Sequence, residues 1–219
     1  MIILLAGGSP EQCSSELLYS LAARADRVVA IDRGLDPLLA AGITVDLFCG
    51  DADSVSVEGK EMITAGRESR ALLPCMEIER YNPHKDYTDL DLALKAIERR
   101  WGRVHIIATC LEGGQPDHAF AAIGRLIDWG GDVELVHDGR IARILKSGQT
   151  WHVGQYQGSR FSFVPLSCSC VVSEKHMRWE LDHRTAPLLS DLGISNELDY
   201  PDGSITCHEG TIAAWVFAR

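Results

Sequence analysis

The sequence lacks long apolar runs, and its basic residues are outnumbered by acidic ones. The first apolar run, MIILLA (residues 1–6), is far shorter than the roughly 20 residues that span a bilayer, and no basic segment precedes it. The formal net charge of -10 argues against a nucleic-acid binder, because such proteins concentrate Lys and Arg. We therefore expect a mature cytoplasmic protein with neither membrane nor nucleic-acid partners. A phosphorylated small molecule is still an acceptable ligand, because a divalent cation can supply positive charge.

The sequence also lacks a cysteine pair with metal-binding spacing. Its seven cysteines include no C-x-x-C pair, and Cys168 and Cys170 are too close for a zinc knuckle. We expect reduced and mostly buried thiols. Neither an internal repeat nor a low-complexity segment is visible. With 219 residues, of which 46% are hydrophobic, the chain suits a globular protein of one large or two modest domains.

Over the first 138 residues, short apolar runs alternate with segments of helical period. The runs predict strands at 2–6, 27–32, 45–51, 77–81, 104–110 and 132–138. Strands that are apolar throughout and separated by helices indicate a parallel sheet covered on both faces. Residues 1–138 are therefore predicted to form a mostly parallel, Rossmann-like α/β/α domain.

Two of the intervening helices have clear apolar faces. The first carries a stripe at helical spacing, made of Leu90, Leu94, Ile97 and Trp101. Thr88 is placed to cap its start and Gly102 to end it. The second begins near Pro116 and is predicted to bury Phe120, Ile123, Leu126 and Ile127.

From about residue 140 the pattern becomes uniformly β-rich. Short segments such as RFSFVPL and SITCHEGTIAAWVFA alternate with Gly, Ser, Asp or Pro. This pattern is typical of an antiparallel all-β unit. The sequence HDGR (137–140) supplies turn chemistry, so we place the boundary there and predict a smaller antiparallel β-sandwich over residues 139–219.

Polar residues collect where the predicted parallel strands end, which is where open parallel sheets bind ligands. Asp32 ends the second strand, and Asp51 and Asp53 of GDADS follow the third. Asp51, Asp53 and Asp89, the last at the start of a helix, would repel one another unless a cation were present. Mg²⁺ suits such a set, because it combines one or two carboxylates with substrate phosphates.

The segment EGGQPDH (112–118) joins a strand to the helix that starts near Pro116. Gly113 and Gly114 allow close approach of the backbone to a ligand, and the helix behind them offers free N–H groups to phosphate. Each motif also has a structural interpretation. GDADS is compatible with a solvated turn, Thr88 and Asp89 with a simple cap, the glycines with a tight turn, and Trp179 with a core aromatic.

Five motifs, in order, resemble the thiamine pyrophosphokinase family: GDADS, HKDYTDLDLAL, LEGGQPDHAFAAI, HMRWEL and GISNE. The resemblance implies an N-terminal α/β domain, a C-terminal β-sandwich and a homodimer. It further implies transfer of pyrophosphate from ATP to the hydroxyethyl group of thiamine, giving thiamine diphosphate and AMP, with Mg²⁺ as cofactor.

The resemblance also assigns roles to individual residues. The Mg²⁺ ligands and catalytic carboxylates would be Asp51, Asp53 and Asp89, supported by Asp117. The nucleotide would be lined by Asp32, Gly34, Lys85, Asp86, Thr88, Gly113, Gly114 and Gln115. Thiamine would be bound across the dimer interface by Trp179, which would stack on it, and by Ser195 and Asn196.

Some positions depart from the family pattern. Gln115 stands where an arginine is common, which removes one expected phosphate contact, and Ala52 replaces a larger residue. Arg33 stands where a small residue is common, and could restore positive charge. These departures leave open a pyrophosphokinase for another hydroxymethyl heterocycle, such as a pterin. Two further alternatives are a Mg²⁺-dependent nucleotide phosphohydrolase and a non-catalytic nucleotide or thiamine sensor.

Overall fold

The computed structural model describes residues 1–9, 12–68, 76–82 and 86–218. The chain divides into two compact units, Met1–Val133 and Glu134–Arg219. The first is a parallel α/β unit and the second an antiparallel β-sandwich, so the predicted fold class is confirmed. The boundary predicted after Asp138 lies in the turn of a hairpin that begins the second unit.

Five parallel strands form the sheet of the first unit. Their bounds are β1 Ile2–Ala6, β2 Arg27–Ile31, β3 Leu47–Gly50, β4 Glu77–Arg80 and β5 His105–Thr109. They lie in the order β4-β3-β2-β1-β5, and each neighbouring pair is parallel. The chain builds outward from β1 in one direction and then places β5 on its other side, so the strand order reverses at β1.

Five helices accompany this sheet. Their bounds are α1 Ser15–Ala22, α2 Leu35–Ala40, α3 Val57–Glu68, α4 Asp89–Trp101 and α5 Pro116–Asp128. Helix α4 packs on β2, β3 and α5, whereas α2 packs on β2, α1 and α3. No helix in the described parts of the chain is both long and apolar enough to cross a membrane.

Helix α4 is built as the sequence predicts. The Thr88 hydroxyl accepts a hydrogen bond from Asp91 N at 3.2 Å, and Gly102 ends the helix with a positive φ of 75°. The stripe residues Leu90, Leu94 and Ile97 are buried.

The prediction for one residue of α5 is wrong. Phe120 is 69% exposed, whereas the buried side of the helix carries Ala122 and Leu126, with Trp129 just beyond it. Phe120 lies about 200° around the helix from Ala122 at 100° per residue, so the two side chains point to nearly opposite sides. The buried stripe is therefore rotated away from the larger Phe120 towards the smaller Ala122.

The second unit contains two antiparallel sheets. The strands are β6 Val133–His137, β7 Arg140–Lys146, β8 Gln149–His152, β9 Arg160–Pro165, β10 Ser169–Lys175, β11 Leu181–Pro187, β12 Asn196–Glu197, β13 Ser204–Glu209 and β14 Thr211–Phe217. One sheet has the order β12-β9-β14-β7-β6 and the other β11-β10-β13-β8. Both inner faces contribute to one core, in which Phe161 and Phe163 of the first sheet meet Val172 and Ile205 of the second.

Cysteines contribute to the cores of both units. Of the six that the structure describes, five are buried and only Cys168 is exposed. Cys170 and Cys207 belong to the sandwich core. Burial raises the pKa of the Cys49 thiol to about 12, so this cysteine behaves as a small apolar residue.

Candidate active site

A cleft of about 720 Å³ opens at the carboxyl ends of β1, β2 and β5, where the strand order of the first unit reverses. Open parallel sheets bind their ligands at such a point, because the connections leave the sheet in opposite directions and leave a crevice between them. The cleft is lined by Gly7, Gly8, Ser9, Ile31, Asp32, Arg33, Ser54, Thr88, Asp89, Leu90, Cys110, Leu111, Gly113, Gly114, Gln115, Asp117, His118, Ala121 and Ala122.

Three glycines allow the walls of the cleft to approach one another closely. A Cβ at Gly34 would overlap the carbonyl oxygen of Ala6, and a Cβ at Gly7 would overlap the Leu111 side chain. A Cβ at Gly50 would overlap the carboxyl group of Asp32. The Asp32 carboxyl group can therefore lie over the end of β3 only because residue 50 has no side chain.

The backbone is strained around the cleft. Asp32, Ala52 and Cys110 follow the ends of β2, β3 and β5 with φ angles of 45°, 66° and 56°. Such left-handed conformations are unfavourable for residues with a Cβ, and they concentrate at functional sites. One of them is held by a side chain, since Ala52 N donates a hydrogen bond to Asp32 Oδ1 at 3.2 Å.

Three carboxyl groups interact at this edge of the sheet. The Asp32 and Asp89 carboxyl groups are hydrogen-bonded to each other, and the charge of Asp51 also acts on Asp32. Burial, followed by the negative charge of Asp89, raises the pKa of Asp32 to about 7, against a hydrogen bond from Ala52 N that lowers it. The arrangement therefore holds a proton between the two carboxyl groups near neutral pH, or a cation in its place.

These oxygens fit a hard divalent cation. In the described residues no cluster of three or more His, Cys, Asp or Glu side chains forms a complete metal-binding set by itself. Mg²⁺ typically takes one or two protein carboxylates and completes its shell with water and substrate phosphate. A carboxyl pair that needs a positive charge, beside a cleft that can hold phosphates, matches that chemistry.

GDADS forms the turn after β3, as its composition indicates. Asp53 N donates to Asp51 Oδ1 at 3.0 Å, and Lys60 Nζ donates to the Asp53 carbonyl oxygen at 3.0 Å. Asp53 itself is exposed, and its neighbour Ser54 lines the cleft. The charge of Asp51 acts on Asp32, but neither Asp51 nor Asp53 is among the residues that line the cleft. Their role as metal ligands stays a prediction.

The loop before α5 forms the opposite wall. Gly113, Gly114 and Gln115 all line the cleft, and Gly114 has a φ of 77° that favours glycine. Pro116 occupies the first turn of α5, and Asp117 and His118 follow it along the cleft. The first N–H groups of a helix lack partners within the helix, so this wall can bind an anion through its backbone.

Only some of the other predicted nucleotide-binding residues line the cleft. Thr88 lines the cleft, while Gly34 is buried against the end of β1 and supports its wall. Asp86 is exposed and does not belong to the lining. Lys85 lies outside the described residues.

Part of the lining was not predicted. Gly7, Gly8 and Ser9 follow β1 at the same edge of the sheet as Asp32, so the strand-end rule applied to β1 would have found them. Arg33 also lines the cleft and is exposed. The cleft therefore contains a cation that can contact phosphate, at a different position from Gln115.

In the second unit, the three predicted thiamine-binding residues lie together. Trp179 is 55% exposed, and its backbone N–H donates to Asn196 Oδ1 at 3.1 Å. Ser195 is exposed next to Asn196, and its backbone N–H donates to Ser162 Oγ at 2.9 Å. Trp129 and Trp151 are at most 4% exposed, so the exposure of Trp179 is not typical of a tryptophan that serves only the core.

Comparison with known proteins gives one consistent answer. Residues 18–135 match the family model "Thiamin pyrophosphokinase, catalytic domain", and residues 150–212 match "Thiamin pyrophosphokinase, vitamin B1 binding domain". A thiamine pyrophosphokinase of Bacillus subtilis is 29% identical over 199 residues, which cover 84% of each chain.

Solved structures share the whole fold. The thiamin pyrophosphokinase family protein of Enterococcus faecalis has a TM-score of 0.81 at 21% identity, covering 100% of this chain and 99% of its own. The thiamin pyrophosphokinase of Candida albicans has a TM-score of 0.81 at 16% identity, covering 100% of this chain and 89% of its own. Because the catalytic-domain model alone matches more than half of the residues, the chain belongs to the thiamin pyrophosphokinase family.

Proposed function

We propose that this protein is a thiamine pyrophosphokinase, which transfers pyrophosphate from ATP to the hydroxyethyl group of thiamine and releases AMP. The observation that carries the proposal is the cleft at the strand-order reversal, which combines a carboxyl pair, two glycine-rich loops and a helix N-terminus. This combination fits a nucleotide triphosphate with its divalent cation. Family membership supplies the acceptor.

The nucleotide phosphates would lie between the two glycine-rich walls. Gly7 and Gly8 on one side and Gly113 and Gly114 on the other place backbone near the ligand, and α5 directs its first N–H groups towards it. Arg33 adds a positive charge to the lining. In a protein with a net charge of -10, such local groups are needed to attract and hold a triphosphate.

Asp51, Asp53 and Asp89 are the carboxylates that would hold Mg²⁺, together with water and phosphate oxygens, and Asp32 would support Asp89 through the hydrogen bond between them. When bound, Mg²⁺ neutralises charge that develops on the phosphate oxygens. The residues of the chain hold the triphosphate in line with the acceptor, which is the larger part of catalysis in phosphoryl transfer.

In the reaction, a bond forms between the acceptor oxygen and the β-phosphorus of ATP. The bond from that phosphorus to the bridging oxygen of the α-phosphate breaks, and AMP leaves with the electron pair. The acceptor hydroxyl loses its proton. Asp117 lines the cleft and is the aspartate that would accept this proton, whereas Asp86 lies outside the lining.

The acceptor site belongs to the second unit. Trp179 offers an exposed indole, and thiamine contains a flat cationic thiazolium ring that is attracted to such a face. Ser195 offers an exposed hydroxyl beside it. Both residues fall within the segment that matches the vitamin B1 binding domain.

One incubation separates this function from its alternatives. With ATP, Mg²⁺ and thiamine, we expect AMP and thiamine diphosphate in equal amounts. A pterin pyrophosphokinase would form AMP only with a hydroxymethylpterin, and a phosphohydrolase would release inorganic phosphate without any acceptor. Either result would overturn the proposal.

The metal assignment is tested by replacing carboxylates one at a time. We expect Asp89→Asn and Asp51→Asn to lower kcat/KM for ATP by about a hundredfold or more at saturating Mg²⁺. Asp128→Asn is the matched control, because Asp128 ends α5 at the far end from the cleft and pairs only with Arg125 at 3.3 Å among the described residues. Full turnover in Asp89→Asn would exclude the assignment.

We also propose that the protein acts in the cytoplasm as a homodimer. In support, the segment between β11 and β12 exposes several large apolar side chains, namely Leu188, Leu189, Leu192 and Ile194. Exposed apolar residues that cluster in one short segment are typical of an interface. The molar mass in solution, measured by light scattering, should be twice that of the 24.0 kDa chain; a monomer mass at micromolar concentration would contradict the proposal.

A further inference from the structure

Strand β10 of the sandwich buries a glutamate. Glu174 is 2% exposed, and its partners across the sheet, Leu181 on β11 and Ile205 on β13, are both apolar. Its Oε2 accepts a hydrogen bond from Asn196 Nδ2 at 3.2 Å. Among the described residues its other oxygen, Oε1, has no hydrogen-bond partner. An acidic side chain in such a position costs free energy, so its presence calls for a role.

The hydrogen bonds of Asn196 show what that role is. Its Oδ1 accepts from Trp179 N at 3.1 Å and from Glu197 N at 2.8 Å. Its Nδ2 donates to the Trp179 carbonyl oxygen at 2.7 Å and to Glu174 at 3.2 Å. An asparagine amide has two donor hydrogens and two acceptor sites, and all four are used by the chain itself.

This arrangement holds the backbone of Trp179 from both sides. The amide of Asn196 binds both the N–H and the C=O of that residue, much as a neighbouring strand would. Glu174 takes the remaining N–H of the amide and so favours one of its two orientations. In the reversed orientation, Nδ2 would face two backbone N–H groups, and donors would oppose donors.

We propose that Glu174 is a positioning residue for thiamine: through Asn196 it fixes the backbone of Trp179 and hence the plane of the indole on which thiamine stacks. The inference rests on the proposed thiamine-binding role of Trp179 and extends it to a residue that does not contact the ligand. Glu174 and Asn196 are both buried, so neither competes with solvent or substrate for this function.

The protonation of Glu174 supplies a signature of this role. Burial raises its pKa to about 8, against one opposing contribution, the hydrogen bond from Asn196. The charged residues beside Trp179 and Asn196 pair with each other, Arg178 with Glu197 at 2.6 Å and with Asp199 at 3.0 Å. Glu174 is therefore neutral at pH 7, and raising the pH through 8 places a charge in the core beside Asn196.

The experiment compares Glu174→Leu and Glu174→Gln with the wild type. Leucine removes the acceptor and leaves a buried N–H of Asn196 unsatisfied, so we expect the KM for thiamine to rise about tenfold. We expect the KM for ATP to change less than about twofold, since ATP binds to the other unit. Glutamine keeps an acceptor oxygen, and should restore the KM for thiamine. Ser173→Ala is the matched control, since Ser173 is the adjacent buried polar residue and contacts His183 and His208 instead of Asn196.

Two further readouts keep the test independent of turnover and of folding defects. In the wild type, the KM for thiamine should rise as the pH passes 8. In Glu174→Gln, the KM for thiamine should show no such rise. Thiamine binding is also followed by quenching of tryptophan fluorescence, with Trp179→Phe identifying the signal of Trp179.

The outcomes separate the two proposals. An unchanged thiamine affinity in Glu174→Leu overturns the positioning role. If Glu174→Leu fails to fold, the same pH profile in wild type and Glu174→Gln overturns it instead. Absence of thiamine diphosphate formation in the wild type overturns the proposed function instead, and the fluorescence titration then still decides the role of Glu174.

Discussion

Gly50 is the residue on which the geometry of the carboxyl cluster depends most directly. It ends β3, and the Asp32 carboxyl group occupies the space that a side chain at this position would take. The Asp32 carboxyl group in turn accepts a hydrogen bond from Ala52 N and is hydrogen-bonded to the Asp89 carboxyl group. A single methyl group at residue 50 would therefore displace the group that joins β2, β3 and α4 at the cleft.

We predict that Gly50→Ala lowers kcat/KM for ATP by at least about a hundredfold and destabilises the protein by roughly 2 kcal/mol or more, because the methyl group overlaps a carboxyl group and the φ of 154° is unfavourable for alanine. Steady-state kinetics and urea unfolding measure both effects.

The matched control is Gly124→Ala in helix α5, where a Cβ would meet no atom within 4 Å. Here we expect unchanged activity and a gain of about 0.5–1 kcal/mol, because alanine is the better helix former. Wild-type activity in Gly50→Ala would show that the position of Asp32 is not needed for turnover.

Individual residues differ in how far the sequence predicts them. Asp32 and Asp89 are predicted at the site because each follows a recognisable strand end or helix start. Their hydrogen bond to each other is not predictable, because it depends on side chains from the end of β2 and the start of α4 meeting in space. Glu174 gives no signal at all, since SEK (173–175) has the composition of an exposed strand end, yet Ser173 and Glu174 are both 2% exposed.

The N-cap residues of helices in the first unit affect stability, and one of them also lies at the candidate active site. Two N-caps have the same chemistry: Ser14 Oγ accepts from Leu17 N at 3.3 Å, and Thr88 Oγ1 accepts from Asp91 N at 3.2 Å. Only Thr88 also lines the cleft, next to Asp89. The pair therefore separates the cost of losing a cap from the cost of disturbing the site.

We predict that Ser14→Ala and Thr88→Ala each lower the free energy of unfolding by about 1 kcal/mol, the usual value for loss of an N-cap. Only Thr88→Ala should also raise the KM for ATP, by about three- to tenfold, because α4 then begins with Asp89 less firmly placed. Equal kinetics in the two variants would remove Thr88 from the site and leave it a cap alone.

Whole elements are predicted well where their apolar pattern is dense. All five strands of the first unit appear within two residues of their predicted ends. For β1, β2, β3 and β5 the reason is that nearly fully buried strands must be apolar, whereas β4 is partly exposed and mostly charged. The predicted buried face of α5 is wrong at Phe120. Periodicity predicts that a helix has an apolar stripe, but the exact rotation of the helix depends on its neighbours.

At the scale of the whole molecule, the two units differ in how their cores tolerate charge. The parallel unit places its acidic groups at the end of the sheet, where a ligand can neutralise them. The sandwich places Glu174 within strand β10 and gives it one hydrogen bond. The first arrangement depends on a ligand, whereas the second depends on the glutamate remaining protonated, so pH should affect the stability of the sandwich most.

The protonation of Glu174 makes the stability of the protein depend on pH in one direction. The pKa of Glu174 is about 8 in the folded protein against 4.5 for the ordinary group, so the folded state binds more protons between these values. Stability from this residue is therefore fully present below pH 4.5, falls as the pH rises and is lost above 8. The full loss amounts to roughly 4–5 kcal/mol, a large share of the stability of an ordinary domain.

Glu174→Gln cannot ionise, so its stability should lack this dependence. We predict that wild type and variant differ little near pH 4.5, and that the variant becomes more stable by several kcal/mol at pH 8.5. Urea unfolding at a series of pH values, followed by the fluorescence of the buried Trp151, reports on the sandwich. Parallel curves for the two proteins across this range would mean that Glu174 is already ionised at pH 7, and would refute both this prediction and the neutral hydrogen bond to Asn196 from which it follows.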